Sequence, residues 1–313
     1  MAQKAVRPRR GTRRPLWAYV KRDQYLLLLV AIPILYFVIF HYLPLYGVQI
    51  AFKRYSPGKG IWGSPWVGLQ WFREFFSSIY AGRVIGNVLI LNGLRLVFAF
   101  PLPIVFALLL NELRMARYKR VVQTISYMPH FISTVVVVGM LVTFVSPNGG
   151  IVNQVVAALG GTPINFMSES RYFRPLYILS GIWQNLGWDS IIYLAALSGI
   201  DQEQYEAARI DGAGRWQQAL HITLPGIAPT IIILLILDVG NMMSVGYEKI
   251  ILMYNPATYD VADVISSYVY RMGIVNNDFS FASAVDLFNS VINCLLLVSV
   301  NRLSRSISDT ALW

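Results

Sequence analysis

Charge is scarce in this chain. Only 13% of its 313 residues are Asp, Glu, Lys or Arg, against roughly 25% in soluble domains. Cysteine is nearly absent: Cys294 stands alone in an apolar stretch. No disulfide framework and no paired-cysteine metal site can form within one chain, and Cys294 reads as a small packing residue. The three histidines do not cluster, and His41 and His130 read as polar helix-end residues rather than ligands. No G-x-x-x-x-G-K-[ST] phosphate loop, HExxH or GxSxG occurs, so the usual route to ATP binding is missing from this polypeptide. Gly212-Ala213-Gly214 lacks the third glycine and the preceding strand of a dinucleotide loop.

Apolar residues are plentiful, at 56% of the chain, with a mean hydropathy of +0.52. A membrane span needs about 20 apolar residues. Six segments qualify: 25–47, 84–110, 126–145, 175–197, 225–245 and 282–300. The fold class expected is an all-α membrane protein, a six-helix bundle. Pro33, Pro101, Pro103 and Pro129 fall inside spans and predict kinks, which neighbouring helices make tolerable. No small-residue cleavage site follows the first apolar run, so it is expected to stay as a span.

The net charge of +10 is distributed as a topology signal, not as a nucleic-acid face. Eight Lys and Arg lie in residues 1–22. With Arg114–Arg120, Arg209, Arg215, Arg302 and Arg305, sixteen basic residues fall on one side, against nine on the other. That asymmetry predicts both termini in the cytoplasm. The basic arm itself reads as a topology signal that touches anionic lipid. The organisation expected is an arm over 1–24, a membrane domain over 25–303 and a tail over 304–313. Three outer connections, about 48–83, 146–174 and 246–281, are rich in Tyr, Trp, Pro and Gly. They suit the membrane interface or a docking surface for an outside partner.

The segment 200–224 is polar and faces the cytoplasm on this topology. Asp201 is a good N-cap, Gln204 completes a capping box, and Ile200 with Tyr205 forms a hydrophobic staple. Gly212 stops the first short helix. A second carries Trp216 and Leu220, and Pro225 opens the fifth span. Ala207 and Ala208 allow close approach, while Glu206 and Arg209 give the element charge. It can serve a soluble partner or lie on the lipid.

Glu206-Ala207-Ala208, three residues, Gly212, nine residues, then Ile222-x-Leu224-Pro225 resembles the EAA motif of binding-protein-dependent ABC importer permeases. The resemblance covers nearly the whole chain. Residues 123–133, 180–184 and 254–259, and the ending Thr310-Ala311-Leu312-Trp313, look like the polysaccharide-type branch, which includes the alginate oligosaccharide importer. The resemblance implies a type I permease fold and a coupling helix seated in a groove of an ATP-binding subunit. Tyr205, Glu206, Ala207, Ala208, Arg209, Asp211, Gly212, Trp216, Leu224 and Pro225 would form that contact. It also implies a second, homologous permease chain, two ATP-binding subunits that hold ATP and Mg, an external solute-binding protein and a bacterial plasma-membrane location. This chain would hold no cofactor or metal and catalyse nothing.

Polar residues inside spans are costly and face a partner or water. Arg95 lies near mid-depth, with Asp189 and Asp238 as candidate partners and Asp286 shallower. Asn185 and Asp189, Asp238 and Asn241, and Asp286, Asn289 and Asn293 fall on helical stripes. Asn87, Asn92, Trp183, Gln184 and Trp188 fit a site of amides and flat rings for a sugar. Either these residues line a substrate path or they hold helices together. Arg95 is either a structural ion pair or a charge facing an acidic sugar. Two other classes remain on the residues alone: an intramembrane enzyme using Asp189 and Asp238 as a carboxylate pair, and an ATP-independent channel or secondary transporter.

Overall fold

The computed structural model describes residues 23–113 and 115–307. The eight basic residues of the arm, Arg114 and the Thr310–Trp313 ending lie outside the described residues, as do the tail beyond Ile307 and the arm's residues before Asp23. The chain divides into two compact units, 1–49 and 50–313. The first is dominated by the start of α1 (Gln24–Phe52), and the cores and sites described below belong to the second.

Among the described residues the second unit is helical, with one isolated antiparallel bridge between Lys53 and Trp66. Its principal helices are α2 (Gln70–Ser77), α3 (Ile79–Asn111), α4 (Ala116–Phe131), α5 (Thr134–Val145), α6 (Ile151–Ala158) and α7 (Ser170–Ser198). They continue with α8 (Gln202–Ile210), α9 (Arg215–Gly240), α10 (Tyr247–Met253), α11 (Ile265–Tyr270) and α12 (Phe279–Ile307).

By length and composition α1, α3, α9 and α12 can each cross a membrane. The span expected at 126–145 is not one straight helix. α4 and α5 meet at 99°. Pro129 cannot donate an N–H. Ile132 is extended, and Ser133 caps a new helix by accepting from the Val136 N–H. The remaining expected span lies within α7, whose 29 residues reach about 44 Å at 1.5 Å per residue. It carries Arg171, Arg174 and Asp189 and is not apolar enough to pass as a span. Among the described residues the expected six spans are therefore four by length and composition, or five if α4 and α5 count as one.

The prolines act through wider turns more than through breaks. Arg95–Ala99 forms a π turn just before Pro101, with the Phe100 N–H donating to the Arg95 carbonyl. Ala219–Thr223 does the same before Pro225. Helices absorb missing donors in this way. Pro225 therefore does not open the fifth span, because the helix runs unbroken from Arg215 to Gly240.

Two apolar cores hold the unit. One, at the end remote from 200–224, packs Phe75, Val84, Val88, Leu91, Val264, Ile265 and Val285, none more than 1% exposed. The other, beside the hairpin, joins Ala107, Tyr193, Leu197 and Ile227. The outer connections are built, not loose. Asn153 donates to the carbonyls of Val145, Ser146 and Ile164 and accepts from the Ile164 N–H at 2.7 Å. Buried Asp263 receives both Arg271 Nη1 and Nη2, with Nη2 at 2.5 Å.

Candidate functional site: a polar cavity and a capped hairpin

A cavity of about 830 Å³ lies between α3, α4, α7, α9 and α10. Five of the expected pathway residues line it: Arg95, Gln184, Asn185, Asp189 and Asp238. Arg95, at the midpoint of α3, is paired with Asp238 of α9. Its Nη2 donates to Asp238 Oδ1, and its buried Nε has no hydrogen-bond partner. Gln184 donates to the Ile132 carbonyl at the α4–α5 bend, 2.9 Å away. Asn185 meets His130 Nδ1 at 3.0 Å.

The other expected residues sit elsewhere. Asn87 is buried, donates to the carbonyls of Asp260 and Asp263, and accepts from Arg174. It pins a connection. Asn92 donates to the Met242 carbonyl at 2.6 Å and borders a smaller pocket with Arg95 and Tyr177. Asn293 bonds Met243 N–H and Ser244 Oγ, which ties α12 to the end of α9. Asn289 is buried with its Oδ1 unpartnered, Asp286 is exposed, and Asn241 donates within α9. Trp183 is exposed, and Trp188 stacks on His130, with ring centroids 4.4 Å apart. None of these lines the large cavity.

Sequence reasoning missed Lys249, Glu248, Tyr177, Tyr193 and His130 as cavity residues. Lys249 reaches in from α10, a short helix in an outer connection. Its Nζ donates to the Tyr177 carbonyl at 2.9 Å and stands 4.7 Å from the Tyr177 ring centroid. Burial pulls this ammonium down to about 8. A lysine beside the apolar run Ile250–Met253 was the available signal.

At the other end, α8 begins with Asp201 Oδ1 accepting from the Glu203 N–H at 2.9 Å. In place of the box expected with Gln204, the next helix shows half of one: Gln217 Oε1 accepts from the Gly214 N–H, while glycine has no side chain to return a bond. Ile200 packs into the hairpin-side core, and Tyr205 instead bonds Thr223 Oγ1 at 3.1 Å. α8 ends in a Schellman turn: Ala213 N–H to the Ala208 carbonyl and Gly212 N–H to the Arg209 carbonyl. Gly212 has φ +79° there. Glu206, Ala207, Arg209 and Asp211 are exposed, Ala208 and Leu224 are half-buried, and Pro225 is exposed. Trp216 is 76% exposed and Ile210, which sequence reasoning passed over, 87%. Arg215 pairs with Glu112 at 3.7 Å, bracing the hairpin to the end of α3.

Residues 99–309 match the model of the family described as binding-protein-dependent transport system inner membrane component. The chain belongs to that family. Protein LplB of Bacillus subtilis (strain 168) is 46% identical over 95% of this chain and 93% of its own length. The polygalacturonan/rhamnogalacturonan transport system permease protein YteP of the same organism is 40% identical, over 99% of this chain and 96% of its own. Among solved structures, a chain of a bacterial ABC transporter involved in the import of the acidic polysaccharide alginate superposes with a TM-score of 0.88 at 44% identity. That match covers 94% of this chain and 99% of the other. The fold is therefore the type I ABC importer permease fold, and the permease is a membrane transport component, not an enzyme. The carboxylate-pair enzyme and the uncoupled channel give way to this family.

Proposed function

We propose that this permease forms half of the translocation pore of an ATP-driven importer of oligosaccharides, acidic ones included, in the bacterial plasma membrane. A second, homologous permease completes the pore. Two ATP-binding subunits, which hold ATP and Mg, grip the hairpin of each, and an external solute-binding protein delivers the sugar. The membrane domain spans 25–303, with the arm 1–24 and the tail 304–313 in the cytoplasm.

One observation carries this reading. The hairpin is capped at Asp201 and closed by the Schellman turn at Gly212, its apolar tip is bare, and its second helix is continuous with the helix that carries Asp238 into the cavity. Displacement of the tip is transmitted along α9 to the wall of the path. Support for a sugar comes from the relatives, whose names speak of polygalacturonan/rhamnogalacturonan and of alginate. Cavity amides and tyrosines beside charged groups fit hydroxyl-rich, acidic chains.

The test is reconstitution of the permease pair with its ATPase and binding protein in liposomes. ATP-dependent entry of labelled uronate oligosaccharide is expected. Uptake driven by a solute gradient alone, or no ATPase bound to the hairpin, overturns the proposal.

A further inference from the structure

The structure places a second cation in the cavity that the ion-pair network does not use. Lys249 enters from α10, outside the spans, and is only half-exposed. Among the described residues, none of the ion pairs takes it. Its neighbours are the Tyr177 carbonyl and ring and, at 3.4 Å from Nζ, the space a Cβ on Gly181 would occupy. A partly buried ammonium with a carbonyl as its hydrogen-bond partner has given up hydration without gaining a counter-charge. Arg95 lines the large cavity with Tyr177 and Lys249, and a small pocket with Tyr177. It too has spare capacity, since its Nε is unpartnered while Nη2 is engaged by Asp238.

The carboxylates on the same walls do not cancel this arrangement. Asp238 is committed to Arg95, Glu248 faces the cavity without pairing with its neighbour, and Asp189 lies twelve positions along α7 from Tyr177, about 18 Å. The region around Tyr177 thus holds one ammonium with no ion-pair partner, on a cavity whose remainder is the Arg95–Asp238 pair, amides, tyrosines and carboxylates.

We propose that Lys249 is a specificity-determining residue that binds a carboxylate of the travelling oligosaccharide, with Arg95, which lines the same cavity, as its companion. The proposal rests on the oligosaccharide-importer reading and adds which residue reads acidity. The sugar carboxylate supplies the missing counter-charge, and the Tyr177 ring offers a flat face beside it. The ammonium is a point charge on a flexible stem, suited to a passing ligand rather than a fixed bidentate clamp.

The test uses the assembled transporter with its binding protein in liposomes. The probes are an oligogalacturonate and its methyl ester of equal length. The binding protein is common to all variants, so its own preference cancels in each variant-to-parent ratio. Lys249→Gln is expected to cut oligogalacturonate uptake about tenfold or more, with a clearly smaller loss for the ester. Lys249→Arg should recover most of the acidic uptake. In the parent transporter, with the binding protein saturated by either probe at every salt concentration, raising salt should slow the acidic probe more than the ester. That measurement stands even if Lys249→Gln fails to assemble. Equal losses on both probes, no loss on the acid, or equal salt dependence would overturn the role of Lys249 alone. Failure of the parent transporter to import these or any other oligosaccharide would sink the sugar reading itself.

Discussion

Arg95 and Asp238 join the second and fifth spans through an ion pair in the cavity wall. The arginine side chain is 42% exposed and the aspartate 22%, so the pair stands between two regimes. Exposed pairs are worth about 0–1 kcal/mol, while breaking a buried one costs about 3–5 kcal/mol. Asp238→Asn should therefore lower the unfolding free energy of the detergent-purified complex by an intermediate amount, about 1–3 kcal/mol, read as a fall in its unfolding midpoint. The double variant Arg95→Gln with Asp238→Asn should recover most of that loss, because no unpaired charge remains. An additive double variant would show that the two charges do not act on each other. Unchanged assembly and unchanged uptake in Arg95→Gln would remove both roles from Arg95.

The hairpin invites a second test. Ile210 and Trp216 are apolar, almost bare, and held by a backbone with few degrees of freedom. Apolar anchors of this kind dominate binding energy, at about 2 kcal/mol or more each. Ile210→Asp or Trp216→Ala should lose about thirtyfold in affinity for the ATP-binding subunit, measured by co-purification and titration, with the membrane bundle intact. Glu206→Lys should weaken the same contact. Gly212→Val should act indirectly, since a β-branched residue at φ +79° strains the turn by about 1–3 kcal/mol. If Ile210→Asp binds the ATPase as the parent does, the tip is not the contact.

Much of this was readable from residue order. Asp201, Gly212 and the EAA spacing mark a capped hairpin because those signals are local. Arg95 marked itself by depth, and one of its candidate partners, Asp238, is the one found. The misses are tertiary. Nothing local distinguishes Asn87, which pins an outer connection, from Asn185, which lines the cavity. Periodicity puts a polar group on a face but does not say what that face meets. The bend after Pro129 was legible only as a kink, since its 99° depends on Ser133 restarting the helix. Lys249 was assigned to an outer connection by charge counting. Only the return of α10 towards Tyr177 brings it into the cavity.

A third prediction concerns the seam between α4 and α7. Gly187 is buried, and a Cβ there would collide with the backbone carbonyl of Ser126. Backbone cannot swing aside as a flexible side chain can, so overpacking costs about 1–3 kcal/mol or more. Gly187→Ala should reduce the yield and thermal midpoint of the assembled permease. Gly82→Ala, with nothing within 4 Å of the added carbon, should be nearly silent. Equal behaviour of the two variants would show that the α4–α7 approach is not tight.

The last prediction is a pH dependence with a definite sign. Burial lowers the Lys249 ammonium from 10.5 to about 8. Below about 8 the group is charged both in the folded chain and in the unfolded one. Between about 8 and 10.5 the folded chain releases the proton while the unfolded chain keeps it, so stability rises with pH across that window. Acidic-sugar uptake should move the opposite way, falling as pH rises through about 8, because the counter-charge for the carboxylate disappears. The other titratable groups on the same cavity are Glu248 on α10, Tyr177, Asp189 and Tyr193 on α7, Arg95 on α3, His130 on α4 and Asp238 on α9. None of them is a second lysine. Lys249→Arg, whose guanidinium stays protonated throughout, should therefore flatten the profile between pH 7 and 9 while retaining uptake. An unaltered alkaline fall in that variant would assign the titration to another group in the cavity.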